Sequence, residues 1–460
     1  MNRRRRVSAA AVTGILLITS LLAACSANSS STGASGSAAS GSQGAATAAD
    51  DPENANLTYW SWMEGDAPGA DAWMKERVAE YAGLHPGVKI DLVPQSSDTL
   101  IGAFTTAAQT NSGPDIATQW ATLPVLTPAW AGAVAPLDDL TLADTRSTWI
   151  GTQENTDQGK LWAMPIYLIG IPMAYNKNLF AKAGIAQPPA TFDELLTACG
   201  KLKAAGITPI GAGNKDGSFG AWFFSNFGMQ NLDNPSDLKN AIVGTSDIAD
   251  PKYMGYLTAL EKMMSGGCFN NDIASITGQE GFAKFNSGEA AMMWAPDGQV
   301  VQAAKALGAD RIGVVKTPTW GTGKLANAYN TTQSSSVFIT SWSEHPRAAA
   351  QFLTWLHNPA NLKSWYAATE VFPADTTFDA SMLTSDLTKA LWALDSSPGS
   401  VWLENYLPPS LDTDGARAAG QVVTSGGTAA KAADMFVKAT EKWRTQNPAE
   451  VESYTAWAVR

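Results

Sequence analysis

Histidine and cysteine are scarce, with only 3 of each in 460 residues. His85, His345 and His357 lie beside or near prolines at element ends and share no metal-ligand spacing. No metal site is expected from them, and all three read as structural or solvent-facing. Three Cys exclude a disulfide-dense scaffold. Charged residues make up just 16%, and basic ones are the scarcer kind, Lys+Arg 31 against Asp+Glu 42. A net charge of -11 argues against a nucleic-acid partner, which needs clustered Lys/Arg to displace counterions. Catalytic signatures are missing as well. There is no G-x-S-x-G and no H-E-x-x-H, and Gly321-Thr322-Gly323-Lys324 lacks the spacing and the following Ser/Thr of a phosphate loop. The apolar run from Ala9 to Leu22 is short for a membrane span.

What is abundant is apolar surface. Hydrophobic residues account for 45%, which excludes wholesale disorder. The length calls for two large lobes or more, since domains usually hold about 100–200 residues. The 17 Trp exceed what a core alone explains, because a buried indole N–H wants a partner. Such rings are favoured where flat apolar surface meets polar groups.

The first residues read as an address. Arg3-Arg4-Arg5-Arg6 form a basic segment ahead of the apolar run, as in an export signal. The run ends Leu22-Ala23-Ala24-Cys25, which resembles the bacterial lipobox; that resemblance implies cleavage of residues 1–24 and lipidation of Cys25. Ser26 to Ala49 is almost entirely Ser, Ala, Gly, Thr, Asn and Gln, so 25–55 is expected to be a flexible tether. Cleavage would remove four arginines and no acids, and the acidic body left behind should touch the membrane only through its lipid. Export also permits a disulfide between Cys199 and Cys268, although two separately buried thiols fit the sequence equally well.

The body alternates strand and helix patterns. Leu57–Trp60 is β-prone, Pro68-Gly69 opens a helix over Ala70 to Ala82, and Val88–Val93 alternates apolar and polar residues. A helix at Leu100–Gln109, a Ser112-Gly113-Pro114 turn and a strand at Asp115–Thr118 complete an α/β lobe with a mixed, mainly parallel sheet. The order recurs. Met173–Asn176 is a strand, Thr191 and Glu194 form a capping box for Phe192–Ala205, and Ala290–Trp294 is a strand leading into a polar loop.

Four stretches together resemble the extracellular solute-binding proteins of ABC importers, specifically the sugar-binding family that includes maltose-binding protein. They are the F-x8-G-P-D-I of Phe104–Ile116, the G-K-L-W-A-M-P…A-Y-N-K-N-L-F segment opening Gly159–Leu202, F-A-K-F-N-S-G-E-A-A-M-M-W-A-P-D-G at Phe282–Gly298, and Ser334–Leu356 with its H-P-R-A-A-A-Q-F-L-T-W-L helix. The resemblance covers most of the chain beyond the tether. It implies an α/β fold of two lobes that close like a flytrap about three hinge crossings, near 165–170, 330–334 and 370–373. Lobe I would comprise 56–168 plus 331–371, and lobe II 169–330 plus 372–460. The implied role is capture of a sugar or oligosaccharide and its delivery to the membrane subunits of an ABC permease, by a monomer that needs no cofactor. At the second crossing, Asn330-Thr331-Thr332-Gln333 stands where many relatives carry Gly-Gly, so hinge contacts there are not carried over.

A sugar offers an apolar C–H face and a rim of hydroxyls, so its site pairs flat aromatics with carboxylates or amides. The candidates follow predicted strands, where clefts form. Trp62 and Glu64 follow the first strand. Trp120 follows the third, with Gln119 as its competitor. Phe219 and Trp222 lie in the Gly-rich loop from Asn214 to Phe224. Trp294 and Asp297 follow the Ala-Met-Met strand and offer a ring and a carboxylate together. Tyr167, near the first crossing, and Trp402 with Glu404, in a late loop, complete the set. Trp60, Trp73, Trp355 and Trp443 fall at core-like spacing and are assigned to cores. A secreted glycoside hydrolase, with two carboxylates across one bond, and a lipid-anchored adhesion protein are the alternatives.

Overall fold

The computed structural model describes residues 51–140, 146–397 and 401–459. Cys25, the export segment and the tether as far as residue 50 lie outside the described residues. Two mixed sheets organise the rest. The first contains β1 (Ala55–Ser61), β2 (Val88–Pro94), β3 (Ile116–Trp120), β4 (Met164–Gly170) and, from much later in the chain, a fifth strand at Thr331–Ile339. The second contains β5 (Met173–Asn176), β6 (Thr208–Ile210), β7 (Ala290–Trp294) and β8 (Ile312–Val315). With Thr331–Ile339 as β9, the orders are β2-β1-β3-β9-β4 and β8-β5-β7-β6.

Local chemistry explains the elements. In β1 the inward positions Ala55, Leu57, Tyr59 and Ser61 are buried and the others more open, the period-two pattern of a strand covered on one face. β7, Ala-Ala-Met-Met-Trp, is buried along its whole length, as a central strand flanked on both faces should be. The expected capping box is present: Thr191 Oγ1 accepts from Glu194 N, and Glu194 Oε2 accepts from Thr191 N. A second box, Thr277 with Glu280, starts the helix Gly278–Asn286.

Each sheet is mixed, as expected, but parallel pairs do not predominate in either. β1 runs parallel to β2 and β3, but β9 is antiparallel to both β3 and β4. In the second sheet only β6 and β7 are parallel. The cause in the first sheet is connectivity, since β9 enters directly from the other lobe instead of returning through a crossover helix.

The lobes are joined by three adjacent strands. β4 ends at Gly170, and the chain passes through 171–172 into β5. β9 starts beside it, with Thr331 opposite Gly170 and Thr332 opposite Ile169. The third segment lies along the other edge of β4: Leu168 N donates to Phe372 O at 2.8 Å and Ala374 N to Ile166 O at 3.0 Å. All three crossings therefore share one hydrogen-bonded ribbon, the geometry of a hinge.

Cys199, in the helix Phe192–Ala204, and Cys268 form a disulfide with their Cα atoms 5.1 Å apart across a separation of 69 residues. For so long a loop, the chain-entropy model assigns about 4 kcal/mol to the crosslink. The Cys199→Ala/Cys268→Ala variant should therefore unfold at a clearly lower denaturant midpoint, and an unchanged midpoint would mean that the bond contributes nothing. Among the described residues no helix is long and apolar enough to cross a membrane.

Candidate functional site

β1 and β3 are parallel, with Tyr59 opposite Ile116, so the residues at their C-terminal ends emerge side by side. Trp62 and Trp120 are those residues, and their ring centroids are 4.2 Å apart at 52°. Trp62 is buried with its indole N–H unpartnered, and Trp120 is half-buried. Across the sheet, Trp120 faces Ser335 of β9, and Ser335 in turn faces Tyr167 of β4. Tyr167 is fully buried, stacked on Trp365 at 5.2 Å, and its hydroxyl donates to Asp66 Oδ2 at 3.4 Å. The Trp120 side chain also offers Asp66 a hydrogen bond.

Asp66 sits in a compact turn after β1, where Asp66 N and Ala67 N both donate to Met63 O. Burial pushes its carboxyl up to about 7, against the opposing pull of the Tyr167 and Trp120 hydrogen bonds. The helix Ala70–Leu84 that follows begins at Gly69, which has φ 102° and no side chain to cap with. Glu64 supplies the missing acceptor, taking hydrogen bonds from Gly69 N at 3.0 and 3.1 Å and from Asp71 N at 3.0 Å. Glu64 is thus a helix cap on the outer side of the turn.

The second lobe meets this turn at the helix Asp297–Leu307, just after β7. A Cβ on Gly298 would stand 2.1 Å from the Asp66 carbonyl oxygen and 2.9 Å from Pro68 Cδ, so only glycine permits this approach. Next to it, Gln299 Nε2 donates to Gly65 O at 2.9 Å. Asp297 Oδ2 accepts from the hinge amide Gly170 N at 2.7 Å, while Oδ1 receives no donor. Asp395, the last residue of the helix Asp386–Asp395, lies beside Asp297, and both are buried. Two adjacent buried carboxyls require a proton between them; burial pushes Asp297 up to about 7 and Asp395 well above the usual carboxylate range.

Around this core lie Gln119 Oε1, the Tyr329 hydroxyl and both side-chain polar atoms of Asn330, all buried and without hydrogen-bond partners. Orphaned polar groups of this kind are costly, and here they gather where two lobes meet beside paired indoles. They bring together indole faces and hydrogen-bonding groups, the chemistry that a ligand with flat faces and many hydroxyls would need. No group of His, Cys, Asp and Glu able to hold a metal occurs among the described residues.

Of the residues marked in the sequence, Trp62, Trp120, Tyr167 and Asp297 come together here. Phe219 does not: its ring is 2% exposed and packs edge-on to Phe269 inside the second lobe. Trp294 is 2% exposed, stands edge-on to Phe227 and donates to Thr317 Oγ1 at 2.9 Å. Trp222 stacks on Phe282 at 5.7 Å and remains half-buried. Trp402 donates to Glu404 Oε2 at 3.3 Å, and Glu404 pairs with Arg417 at 2.5 Å, which also binds Asp412 at 2.7 Å. That is a buried ion network of its own, in which burial pushes Glu404 up to about 8. Trp73 and Trp443 are core residues, as expected, while Trp60 and Trp355 pack partly buried against cores. No sequence pattern singles out Asp66, Tyr329 or Asp395.

Residues 65–363 match the family described as bacterial extracellular solute-binding protein. The sn-glycerol-3-phosphate-binding periplasmic protein UgpB of Salmonella paratyphi A is 27% identical over 266 residues, covering 55% of this chain and 56% of that protein. The chain spans less than two thirds of the length of the curated relatives it matches. Among solved structures, a chitin oligosaccharide binding protein aligns with a TM-score of 0.77 at 21% identity, over 85% of this chain and 99% of that one. The GacH receptor of Streptomyces glaucescens, studied with acarbose, aligns with a TM-score of 0.70 at 20% identity, over 85% and 98%. At such identities these structures establish the two-lobe α/β fold.

Proposed function

Since the chain belongs to the bacterial extracellular solute-binding protein family, we propose that it captures a carbohydrate between its lobes and passes it to the membrane subunits of an ABC importer. The two lobes are taken as 56–168 plus 331–371 and 169–330 plus 372–460. In the same reading Cys25 carries the lipid that holds a monomeric, non-enzymatic receptor at the outer face of the cell membrane. The observation that carries the proposal is the Trp62–Trp120 pair set beside buried, unpartnered hydrogen-bonding groups at the meeting of the lobes. Indole faces match the C–H faces of a sugar ring, and the amide, phenol and carboxyl groups match its hydroxyls.

Charge favours a carbohydrate over a phosphorylated polyol such as the ligand in UgpB's name. Asp66, Asp297 and Asp395 carry carboxyls into the site, and among the described residues no Lys, Arg or His pairs with any of them. A phosphate would be repelled there. The closeness of Asp297 and Asp395 also disfavours a hydrolase, whose two carboxyls stand about 5 Å or more apart around the scissile bond.

Tryptophan fluorescence and melting temperature, recorded with mono- and oligosaccharides and with sn-glycerol 3-phosphate, test this. At 100 times its Kd a bound sugar stabilises by about 2.7 kcal/mol, a shift of several degrees in Tm for lobes of this size. A response to the phosphate and to no sugar would overturn the assignment, and sugar cleavage would favour the hydrolase.

A further inference from the structure

We infer that the carbohydrate bound here bears a protonated amino group, held by Asp297 and Asp395 with Asp66 beside them; the inference rests on the carbohydrate reading above. Several other buried carboxylates among the described residues have cationic or imidazole partners, while buried Asp157 accepts from the Trp130 indole at 2.9 Å. Glu404 and Asp412 share Arg417, and Asp375 meets His357 Nε2 at 2.9 Å. The carboxyls where the lobes meet lack such partners, although they are 8%, 2% and 5% exposed. Burying charge without a counter-charge is expensive, so with no ligand these carboxyls hold protons, and a cationic group of the ligand would take the place of a proton.

The geometry suits an ammonium group. Asp297 Oδ2 is committed to Gly170 N, which leaves Asp297 Oδ1 and both oxygens of Asp395 as acceptors. An ammonium carries three N–H donors, one for each. The Thr331 hydroxyl near Asp395 commits its hydrogen to Ile169 O at 2.7 Å and does not compete. The buried, unpartnered Tyr329 hydroxyl converges on the same place, since it and Asp395 Oδ1 both lie 2.4 Å from where a Cβ on Gly170 would stand. The titratable groups facing the pair come from two other segments, Asp66 after β1 and Tyr329 before β9, with Tyr167 of β4 behind Asp66. None of them is basic.

Without a cation, the two adjacent carboxyls hold at least one proton between them. A bound ammonium takes a proton's place, and at least one proton leaves to solvent. Affinity for an amine-bearing sugar should then rise with pH across the titration of the pair, by up to about tenfold per pH unit for one proton released. A neutral sugar releases none and should show a flat profile.

Titration calorimetry of the purified protein between pH 5.5 and 7.5, in buffers of different ionisation enthalpy, tests this with matched sugars carrying an amine, an N-acetyl group or a hydroxyl at one position. Glucosamine, N-acetylglucosamine, glucose and their β1–4 dimers form such a set. The amine forms should bind at least tenfold more tightly than their N-acetyl counterparts and release at least one proton at pH 6.5. Asp395→Asn should cost the amine forms at least tenfold more than the N-acetyl forms. If N-acetyl or hydroxyl sugars bind as tightly as the amines, or amines bind without proton release, the amine assignment falls and the carbohydrate reading stands. If no sugar of any kind binds, the carbohydrate reading falls with it.

Discussion

Gly298→Val is expected to lower carbohydrate affinity on the order of 100-fold, about 2.8 kcal/mol, without lowering the melting temperature of the ligand-free protein. Gly298 is the second residue of the helix Asp297–Leu307, and its backbone lies against the Asp66 carbonyl and Pro68 of the opposite lobe. An added Cβ at 2.1 Å from that oxygen meets backbone on a capped turn, which cannot rotate aside as a flexible side chain would. The lobes must then stand further apart, and the Gln299 to Gly65 hydrogen bond lengthens with them. A ligand shifts a two-state equilibrium only by the extra interactions it makes in the favoured state, so a closed form held ajar binds more weakly in direct proportion. Within its own lobe, the substitution removes a glycine from a helix and should do no harm there. Calorimetry for affinity, with small-angle scattering for the spacing of the lobes, separates the two effects. Unchanged affinity in Gly298→Val would mean that the approach of the lobes at this point is irrelevant to binding.

The Trp62→Ala/Trp120→Ala variant is expected to lose the same sugar by a larger factor, on the order of 1,000-fold, about 4.2 kcal/mol. In the proposed site the pair would seat an apolar ring face, and each indole removed would take away a large flat contact area. The informative comparison is Phe219→Ala or Trp294→Ala. Both rings are inside the second lobe, so their truncation opens a cavity and should cost about 3–5 kcal/mol of fold stability while affecting affinity only indirectly. Trp62 is buried as well, so the paired variant should also lose stability, and ligand titration is what should separate it from the other two. Loss of affinity in Trp294→Ala with full stability, alongside normal binding by the Trp62/Trp120 variant, would place the site elsewhere.

How far the sequence reveals this site depends on whether the determinant is local. β1, β2, β7 and the capped helix Phe192–Ala204 announce themselves through periodicity and caps, and Trp62, Trp120 and Asp297 through position just beyond strands. Phe219 sits in a stretch that reads as a Gly-rich loop. The chain from Ser218 to Gly228 instead continues as helix and a wide turn, which carries the rings inward. Glu64 looks like a ligand carboxylate because nothing in the sequence shows that Gly69 leaves a helix end uncapped. Asp395 has no local signal at all. It ends an ordinary amphipathic helix, and its meeting with Asp297 is set by how that helix packs across the hinge.

The cap made by Glu64 has a consequence for the cost of recognition. By tying Gly69 and Asp71 to a residue five and seven positions earlier, it closes the segment from Trp62 to Pro68 into a short arch on a rigid helix. The arch carries an indole, a carboxyl and the carbonyls that receive the other lobe. Ordering such a segment costs roughly 1–2 kcal/mol per residue in backbone entropy, and here folding has already met that cost before any ligand arrives. Interactions made by the arch can then appear almost undiminished as affinity, because little is spent on immobilising the receptor.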